Sequence, residues 1–209
     1  MKIILAAIEE ELVEAWRVVF DPQTEVEVEI YPGSLFDLHV DAIVSPANSF
    51  GFMDGSLDYL ISQNLGWHLQ EKLQKIIQEE HAGELMVGNA QIIETDNDKC
   101  PYIVSAPTMR VPMVLAGNSI NSYLATKAAF HVARKNKKIE SIVFPGMGTG
   151  VGMVPPYLCA IQMLQAFKDV LYPSFPKSWR EAQIKHIHLF GQHMDNEQEY
   201  IDSQHEPRQ

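Results

Sequence analysis

The fold of the chain is indicated best by the stretch Asp41–Asp58, which reads DAIVSPANSFGFMDGSLD. Its apolar run Ala42–Val44 predicts a buried strand, and a glycine-containing loop with Asn48 follows it. A helix then begins near Ser56 and carries Asp58 in its first turn. This order of strand, glycine loop and helix is typical of α/β proteins, in which ligands bind beyond the carboxyl ends of the strands.

A second junction of the same kind lies at Pro145–Gly152, which reads PGMGTGVG and follows the apolar run Ile142–Phe144. Its alternating glycines leave no side chain between the backbone N–H groups and an approaching anion, so the loop predicts phosphate binding. A flexible turn that only needs glycine is the alternative. The loop is neither a Walker A motif, which requires Gly-Lys-Ser/Thr, nor a dinucleotide-binding fingerprint.

Composition limits the classes of protein to which the chain can belong. Its 209 residues, 46% of them hydrophobic and 21% charged, predict one globular domain over residues 1–202 with a polar tail at 203–209. The formal net charge of −11 argues against a nucleic-acid duplex as partner, because binding to phosphates needs a basic face. A small anionic ligand remains compatible with this charge, because backbone amides bind phosphate without basic side chains.

Neither metal binding nor membrane association is indicated. The two cysteines fit no disulfide framework or metal site, and we expect no cofactor and no metal. His186 and His188 share one face of a predicted strand, but no nearby acid or cysteine completes a zinc site. The apolar start Met1–Ile8 is followed at once by Glu9–Glu11, which argues against a signal peptide or a membrane partner. We therefore expect a cytoplasmic protein.

Hydrophobic periodicity predicts the order of strands and helices along the chain. Strands are predicted at residues 2–8, 26–30, 40–44, 90–95, 102–105, 141–144 and 184–190. Helices are predicted at residues 9–20, 56–66, 66–81, 118–134 and 156–171. This alternation predicts an α/β fold whose sheet is covered on both faces.

Several polar residues near the loops allow two interpretations each. Asn48 either forms a turn or holds a ribose hydroxyl through its donor and acceptor groups. Asp58 either stabilises the first turn of its helix or, as an ionised carboxylate, orients or deprotonates a water. Asp54 precedes Gly55 and is expected to cap the helix or shape the loop. Arg110 follows a strand end and either touches the ligand or forms a surface salt bridge.

The segment Gly33–Tyr200 resembles the macrodomain family, whose members bind ADP-ribose and often hydrolyse ADP-ribosyl or related bonds. Val40–Asn48, which reads VDAIVSPAN, is similar to the family's VDAIVNAAN strand. Asp58 follows Asn48 by ten residues, as the catalytic aspartate of hydrolytic macrodomains does. Gly146–Val151 resembles the family's Ser-Thr-Gly-Val phosphate loop.

This resemblance implies a three-layer α/β/α sandwich with a central mixed, largely parallel sheet, to which residues 2–20 are an N-terminal elaboration. It implies that Asp58 and Asn48 are catalytic, with Asp58 orienting the attacking water and Asn48 fixing the distal ribose. Phe190 would end the last strand and pack near adenine. The ligand-binding residues that it implies are Ala47, Asn48, Gly55, Ser56, Leu57, Gly146, Met147, Gly148, Thr149, Gly150, Val151, Gly152 and Phe190.

The chain departs from the family pattern in three places. Gly33-Ser34-Leu35 stands where the family has Gly-Asp-Ile, so the carboxylate that accepts from the adenine amino group is lost. Residues 53–56 replace a run of glycines, and Gly152 replaces an aromatic residue. Three functions are therefore considered: hydrolysis of an ADP-ribosyl or related ester, ADP-ribose binding without turnover, and an interaction domain without nucleotide affinity. The expected partner is ADP-ribose or an ADP-ribosylated substrate.

Overall fold

The computed structural model describes residues 1–20 and 25–191, and this part of the chain contains six strands and six helices. The strands are β1 (Lys2–Ala7), β2 (Glu29–Pro32), β3 (Ala42–Ser45), β4 (Gln91–Glu94), β5 (Tyr102–Ser105) and β6 (Ser141–Phe144). The helices are α1 (Glu10–Val19), α2 (Ser56–Leu65), α3 (His68–Glu80), α4 (Asn121–Lys135), α5 (Pro156–Leu171) and α6 (Trp179–His188). A short 3₁₀ turn spans Leu35–Asp37.

The strands form one sheet in the order β2-β1-β6-β3-β5-β4. Neighbouring strands are parallel except for β4 and β5, which are antiparallel, so the sheet is mixed and largely parallel, as predicted. All strands except β4 run in one direction, so the carboxyl ends of these five strands share one edge of the sheet. The chain leaves that edge through the loops after β1, β2, β3, β5 and β6. The loop after the central strand β6 is therefore flanked by the loops after β1 and β3.

Helices cover both faces of the sheet. On one face α1, α4 and α5 pack against the strands, and the rings of Phe130 and Phe144 each lie 5.0 Å from the ring of Phe167. On the other face α2 and α3 pack against the alternate strand residues, such as Val143 beside Leu73 in one apolar cluster. Successive strand residues point to opposite faces, which is why an unbroken apolar run such as Ser141–Phe144 serves both layers. The three-layer sandwich is confirmed.

Residues 2–20 are built into the middle of this architecture. β1 lies between β2 and β6, with Ala7 opposite Pro32 and Leu5 opposite Phe144. In α1, Trp16 is fully buried against the same core. Whether this segment is an addition to the family's minimal fold stays a prediction, but in this chain it supplies an interior strand.

The predicted strand at residues 184–190 is wrong, because this region belongs to α6. The helix begins after Ser178, whose side chain accepts a hydrogen bond from the backbone N–H of Glu181. Lys185 then pairs with Asp169 of α5 at 3.1 Å, which holds α6 against the helices rather than against a strand edge. His186 and His188 therefore lie on a helix. The strand predicted at 26–30 is displaced, since β2 spans Glu29–Pro32. The polar tail predicted at 203–209 lies outside the described residues.

Candidate functional site

A cavity of about 720 Å³ lies at the carboxyl edge of the sheet. Segments that follow β1, β2, β3, β5 and β6 line it, so the cavity occupies the place where parallel α/β sheets bind ligands. Its size is within the range of about 300–1,000 Å³ that is usual for small-molecule sites. Residues 46–55, here the asparagine loop, and residues 145–152, here the glycine loop, both contribute to its wall. The two loops that the sequence singled out therefore meet in one cavity.

The Asn48 side chain organises the asparagine loop. Its Oδ1 accepts hydrogen bonds from the backbone N–H groups of Phe50 and Phe52, at 3.1 and 3.3 Å. Its Nδ2 donates to the backbone carbonyl of Phe52 at 2.7 Å. The carboxamide thus forms the turn that one interpretation of the sequence expected, and one of its two N–H bonds remains for another acceptor.

Asp58 is a nearly buried carboxylate in the first turn of α2, and only 8% of the residue is exposed. One of its oxygens accepts a hydrogen bond from the hydroxyl of Ser45, the last residue of β3. Burial raises the pKa of Asp58 to about 6, the nearby Asp54 carboxylate adds to the rise, and the Ser45 hydrogen bond opposes it. Asp58 lines the cavity, so above about pH 6 it presents a negative charge there.

Of the two roles expected for Asp54, capping the helix or shaping the loop, the structure does not show the capping of α2. The N-cap position is held by Gly55, and no side chain makes a capping hydrogen bond there. Asp54 instead lines the cavity close enough to Asp58 to affect its pKa. The asparagine loop and the first turn of α2 therefore bring two carboxylates to one end of the cavity.

The glycine loop presents its backbone rather than its side chains. None of the backbone N–H groups of residues 146–152 donates a hydrogen bond to another described residue. Gly148 has a φ of +85°, and a Cβ on Gly152 would lie 2.5 Å from the carbonyl oxygen of Gly148. Two hydrogen bonds close the loop, from Met153 to Gly150 at 2.9 Å and from Val154 to Gly148 at 3.1 Å. The loop is thus a defined backbone structure with unused donors, not merely a flexible turn.

The electrostatic pattern of the cavity is unusual for an anion site. Its lining includes the carboxylates Glu9, Asp54 and Asp58, and among the described residues it includes no Lys, Arg or His. Glu9 follows β1, whereas Asp58 contacts the end of β3, and the glycine loop leaves β6 between those two strands. Acceptors therefore stand on both sides of a central group of N–H donors. This pattern suits a ligand that is anionic in its middle and carries hydroxyl or amino donors at both ends.

Comparison with known proteins identifies the family. The family model described as "Macro domain" matches residues 44–163, more than half of the chain. An uncharacterized protein from Aquifex aeolicus is 30% identical over 144 residues, which cover 68% of this chain and 82% of the relative. A macro domain-containing protein from Caldanaerobacter subterraneus subsp. tengcongensis is 29% identical over 156 residues, which cover 74% of this chain and 86% of the relative. The chain belongs to the macro domain family.

Solved macrodomains share its fold. The macrodomain of Mycobacterium tuberculosis DarG superposes with a TM-score of 0.57 at 19% identity, over 66% of this chain and 88% of that one. The Oceanobacillus iheyensis macrodomain with ADP has a TM-score of 0.55 at 20% identity, over 79% of this chain and 86% of that one. A mutant of the same protein with ADPR also has a TM-score of 0.55, over 78% of this chain and 87% of that one. At these identities the likeness concerns the fold.

Most of the residues that the resemblance implied for this macrodomain line the cavity, but two do not. Met147 is buried beneath the glycine loop, where its backbone carbonyl accepts a hydrogen bond from the Ser122 hydroxyl at 2.6 Å. Phe190 follows α6, and its ring packs on His186 at 5.5 Å instead of facing the cavity. The residues that do line the cavity are Ala47, Asn48, Gly55, Ser56, Leu57, Asp58, Gly146, Gly148, Thr149, Gly150, Val151 and Gly152.

Other lining residues were missed by the sequence analysis. The hydroxyl of Thr108 is buried without a hydrogen-bond partner, and Thr108 lines the cavity after β5. Leaving a buried hydroxyl unpaired costs free energy, so Thr108 is a candidate ligand contact. The sequence did offer one signal for Thr108, its position just past the end of the strand predicted at 102–105. Glu9 and Phe36 also line the cavity, and no local pattern singled them out.

Arg110 lies outside the cavity wall. Its guanidinium makes two hydrogen bonds to the Glu84 carboxylate, at 2.8 and 3.1 Å, and stands 4.9 Å from the centre of the Phe50 ring. Of the two interpretations of Arg110, the structure therefore shows the surface salt bridge.

In residues 1–20 and 25–191, no group of three His, Cys, Asp or Glu residues is arranged to hold a metal ion. In the same residues, no helix has the length and apolarity needed to cross a bilayer.

Proposed function

We propose that this macrodomain binds ADP-ribose or a close derivative and hydrolyses the bond that joins the ribose to an ester-type acceptor. One observation carries the proposal: a single cavity joins the Asp58 carboxylate to a loop of unused backbone N–H groups. The donors suit a diphosphate, because amides hold phosphate oxygens at close range without positive side chains. The ADP and ADPR named for the Oceanobacillus iheyensis macrodomain support this choice of ligand.

Asp58 acts as the general base in this mechanism. With a pKa of about 6 it is ionised at neutral pH, and it is more basic than an ordinary aspartate. It orients a water and removes its proton as the water oxygen attacks the anomeric carbon of the distal ribose. The bond from that carbon to the acceptor oxygen breaks, and the acceptor leaves with the bonding electrons. An acidic side chain, an acetyl group and a terminal phosphate are the acceptors that fit this chemistry.

A second function, binding without turnover, is favoured by a different observation. The Asn48 carboxamide is already bonded to Phe50 and Phe52, and one Asp58 oxygen is bonded to Ser45. Side chains held in this way have less freedom to position a ribose and a water. A reader of ADP-ribosylated proteins needs the cavity and the glycine loop but no free base.

Two measurements separate these functions in the wild type and in Asp58→Asn. The first is ADP-ribose affinity by calorimetry, and the second is release of ADP-ribose from a protein modified on glutamate. For a hydrolase we expect Asp58→Asn to lower the hydrolysis rate about 10²–10⁴-fold and to change the affinity only a few-fold. The wild-type rate should rise through about pH 6 as Asp58 ionises.

The matched control is Asp98→Asn, which removes an exposed carboxylate outside the cavity and should leave the rate unchanged. A reader would bind ADP-ribose in both forms and release none from the modified protein. Absence of any calorimetric or thermal response to ADP-ribose in the wild type would refute both functions and favour the interaction domain.

A further inference from the structure

We propose that Glu9 recognises the base of the bound nucleotide by accepting a hydrogen bond from its exocyclic amino group. The cavity would then select adenine over a base that carries an oxygen at that position. This inference rests on the proposed nucleotide binding and adds the residue that determines base specificity. Glu9 lies outside residues 44–163, the part of the chain matched by the family model.

The register of the sheet puts Glu9 and Ser34 equally far past the ends of two neighbouring strands. β1 and β2 are parallel neighbours, and their last paired residues are Ala7 and Pro32. Two residues further along each chain stand Glu9 and Ser34, and both line the cavity. The paired ends of these strands lie about 4.8 Å apart, and the long side chain of Glu9 can extend from the end of β1 toward Ser34. The carboxylate that is missing at position 34 is therefore available from the neighbouring strand.

Glu9 has no competing role in the described structure. It occupies the N-cap position of α1, where its backbone carbonyl accepts from Leu12 and Val13, each at 3.1 Å. Its side chain makes no capping hydrogen bond, and no ion pair to another described residue involves it. Glu10 and Glu11, which follow it in the first turn, do not line the cavity. Of these three adjacent acids, only Glu9 is placed to meet a ligand.

Ser34 is a weaker acceptor for this amino group than Glu9. Its hydroxyl oxygen already accepts a hydrogen bond from the backbone N–H of Phe36 at 3.3 Å, which caps the 3₁₀ turn. A neutral hydroxyl is also a weaker acceptor than an ionised carboxylate. Within the described residues, Glu9 is thus the carboxylate that lines this end of the cavity.

An apolar surface for a flat ring lies next to Glu9. Ile8, Leu35 and Phe36 line the same end of the cavity, and Ile8 is 76% exposed despite its apolar side chain. A planar base that rests on these side chains would cover apolar surface and direct its edge toward the carboxylate. Where adenine presents its amino donor, hypoxanthine presents a carbonyl oxygen, which a carboxylate repels, and the N–H donor of hypoxanthine lies on the adjacent ring nitrogen.

The test compares the affinities of ADP-ribose and its hypoxanthine analogue, inosine diphosphate ribose, in four proteins: the wild type, Glu9→Gln, Glu10→Gln and the double variant Glu9→Gln/Ser34→Asp. We expect the wild type to prefer ADP-ribose about ten- to a hundredfold, the range that a charged hydrogen bond provides. Glu9→Gln should lose most of this preference, because a carboxamide can turn to meet either base. Glu10→Gln removes an acidic side chain one residue away and should keep the preference for ADP-ribose.

The double variant tests whether the loss of preference in Glu9→Gln comes from the missing carboxylate or from a change in the fold. Aspartate still caps the 3₁₀ turn and restores a carboxylate at the neighbouring position, so it should recover the preference for adenine. The inference is overturned if the wild type binds both ligands equally, or if Glu9→Gln keeps the full preference. Binding of neither ligand by the wild type would instead overturn the proposed function, and the inference would fall with it.

Discussion

The asparagine loop and the glycine loop face the same cavity but are built by opposite means. In the asparagine loop the polar side chain of Asn48 satisfies the backbone, and two carboxylates reach the cavity there, Asp54 from the loop and Asp58 from the first turn of α2. In the glycine loop every second residue lacks a side chain, and the backbone N–H groups of residues 146–152 donate to no other described residue. The asparagine loop and the first turn of α2 offer carboxylates, and the glycine loop offers fixed backbone dipoles. Substitutions should therefore act on the two loops through different properties.

Asp58→Asn should stabilise the protein at alkaline pH. The pKa of Asp58 is about 6 in the folded protein against its usual 3.8, so stability is greatest below pH 3.8 and is lost as the pH rises through 6. The loss is at most about 3 kcal/mol, at about 1.4 kcal/mol per pKa unit. Asparagine avoids the buried charge and still accepts the Ser45 hydrogen bond. Thermal denaturation should show a gain for the variant at pH 8 and little difference at pH 4.

An equal gain at both pH values would contradict this account, because it would mean that packing rather than charge is responsible. Asp98→Asn is again the control, since an exposed carboxylate should give no such dependence on pH.

Gly152→Ala should lower ADP-ribose affinity through the backbone alone. The added Cβ would lie 2.5 Å from the Gly148 carbonyl oxygen, so the glycine loop must shift and its N–H groups must turn away from the ligand. We expect a loss of about ten- to a hundredfold, the equivalent of the 1–3 kcal/mol that local backbone strain costs. Gly117→Ala is the matched control, because its Cβ would meet no atom within 4 Å and Gly117 does not line the cavity. Similar affinities for the two variants would mean that the loop does not hold the ligand.

Asn48→Ala should have the smallest effect, on stability. It removes three hydrogen bonds within the asparagine loop, and we expect the free energy of unfolding to fall by about 1–2 kcal/mol. Urea denaturation measures this change. Asn64→Ala removes one exposed side-chain hydrogen bond on α2 and should cost less. An unchanged midpoint for Asn48→Ala would indicate that the carboxamide serves the ligand and not the loop.

Much of the fold was predictable because its signals are local. The strands at 102–105 and 141–144 and the helix at 156–171 were predicted with the bounds that the structure has, since each is an apolar run with clear limits. Helix α6 was not predicted, because the alternation of apolar and polar residues around His186 and His188 fits a strand as well as a short helix. The choice depended on whether a neighbouring strand lies beside this segment. In the described structure its neighbours are helices, and Lys185 pairs with α5.

The site was predictable where it depends on residues close together in the chain. Both loops could be recognised from glycines and polar residues that follow apolar strands. Glu9 could not, because its place in the cavity depends on the parallel pairing of β1 with β2, which no local pattern specifies. Phe36, which follows β2, was missed for the same reason, whereas the position of Thr108 just past a predicted strand end was a local signal. The catalytic role of Asp58 stays a prediction.

The absence of a cation from the described lining of the cavity has a kinetic consequence. The protein carries a formal net charge of −11, and a diphosphate ligand approaches against the resulting long-range field. Short-range amides hold the ligand only after it has arrived. Salt screens repulsion over a Debye length of about 10 Å at 0.1 M, so capture should become faster as ionic strength rises. Most sites for anions behave in the opposite way.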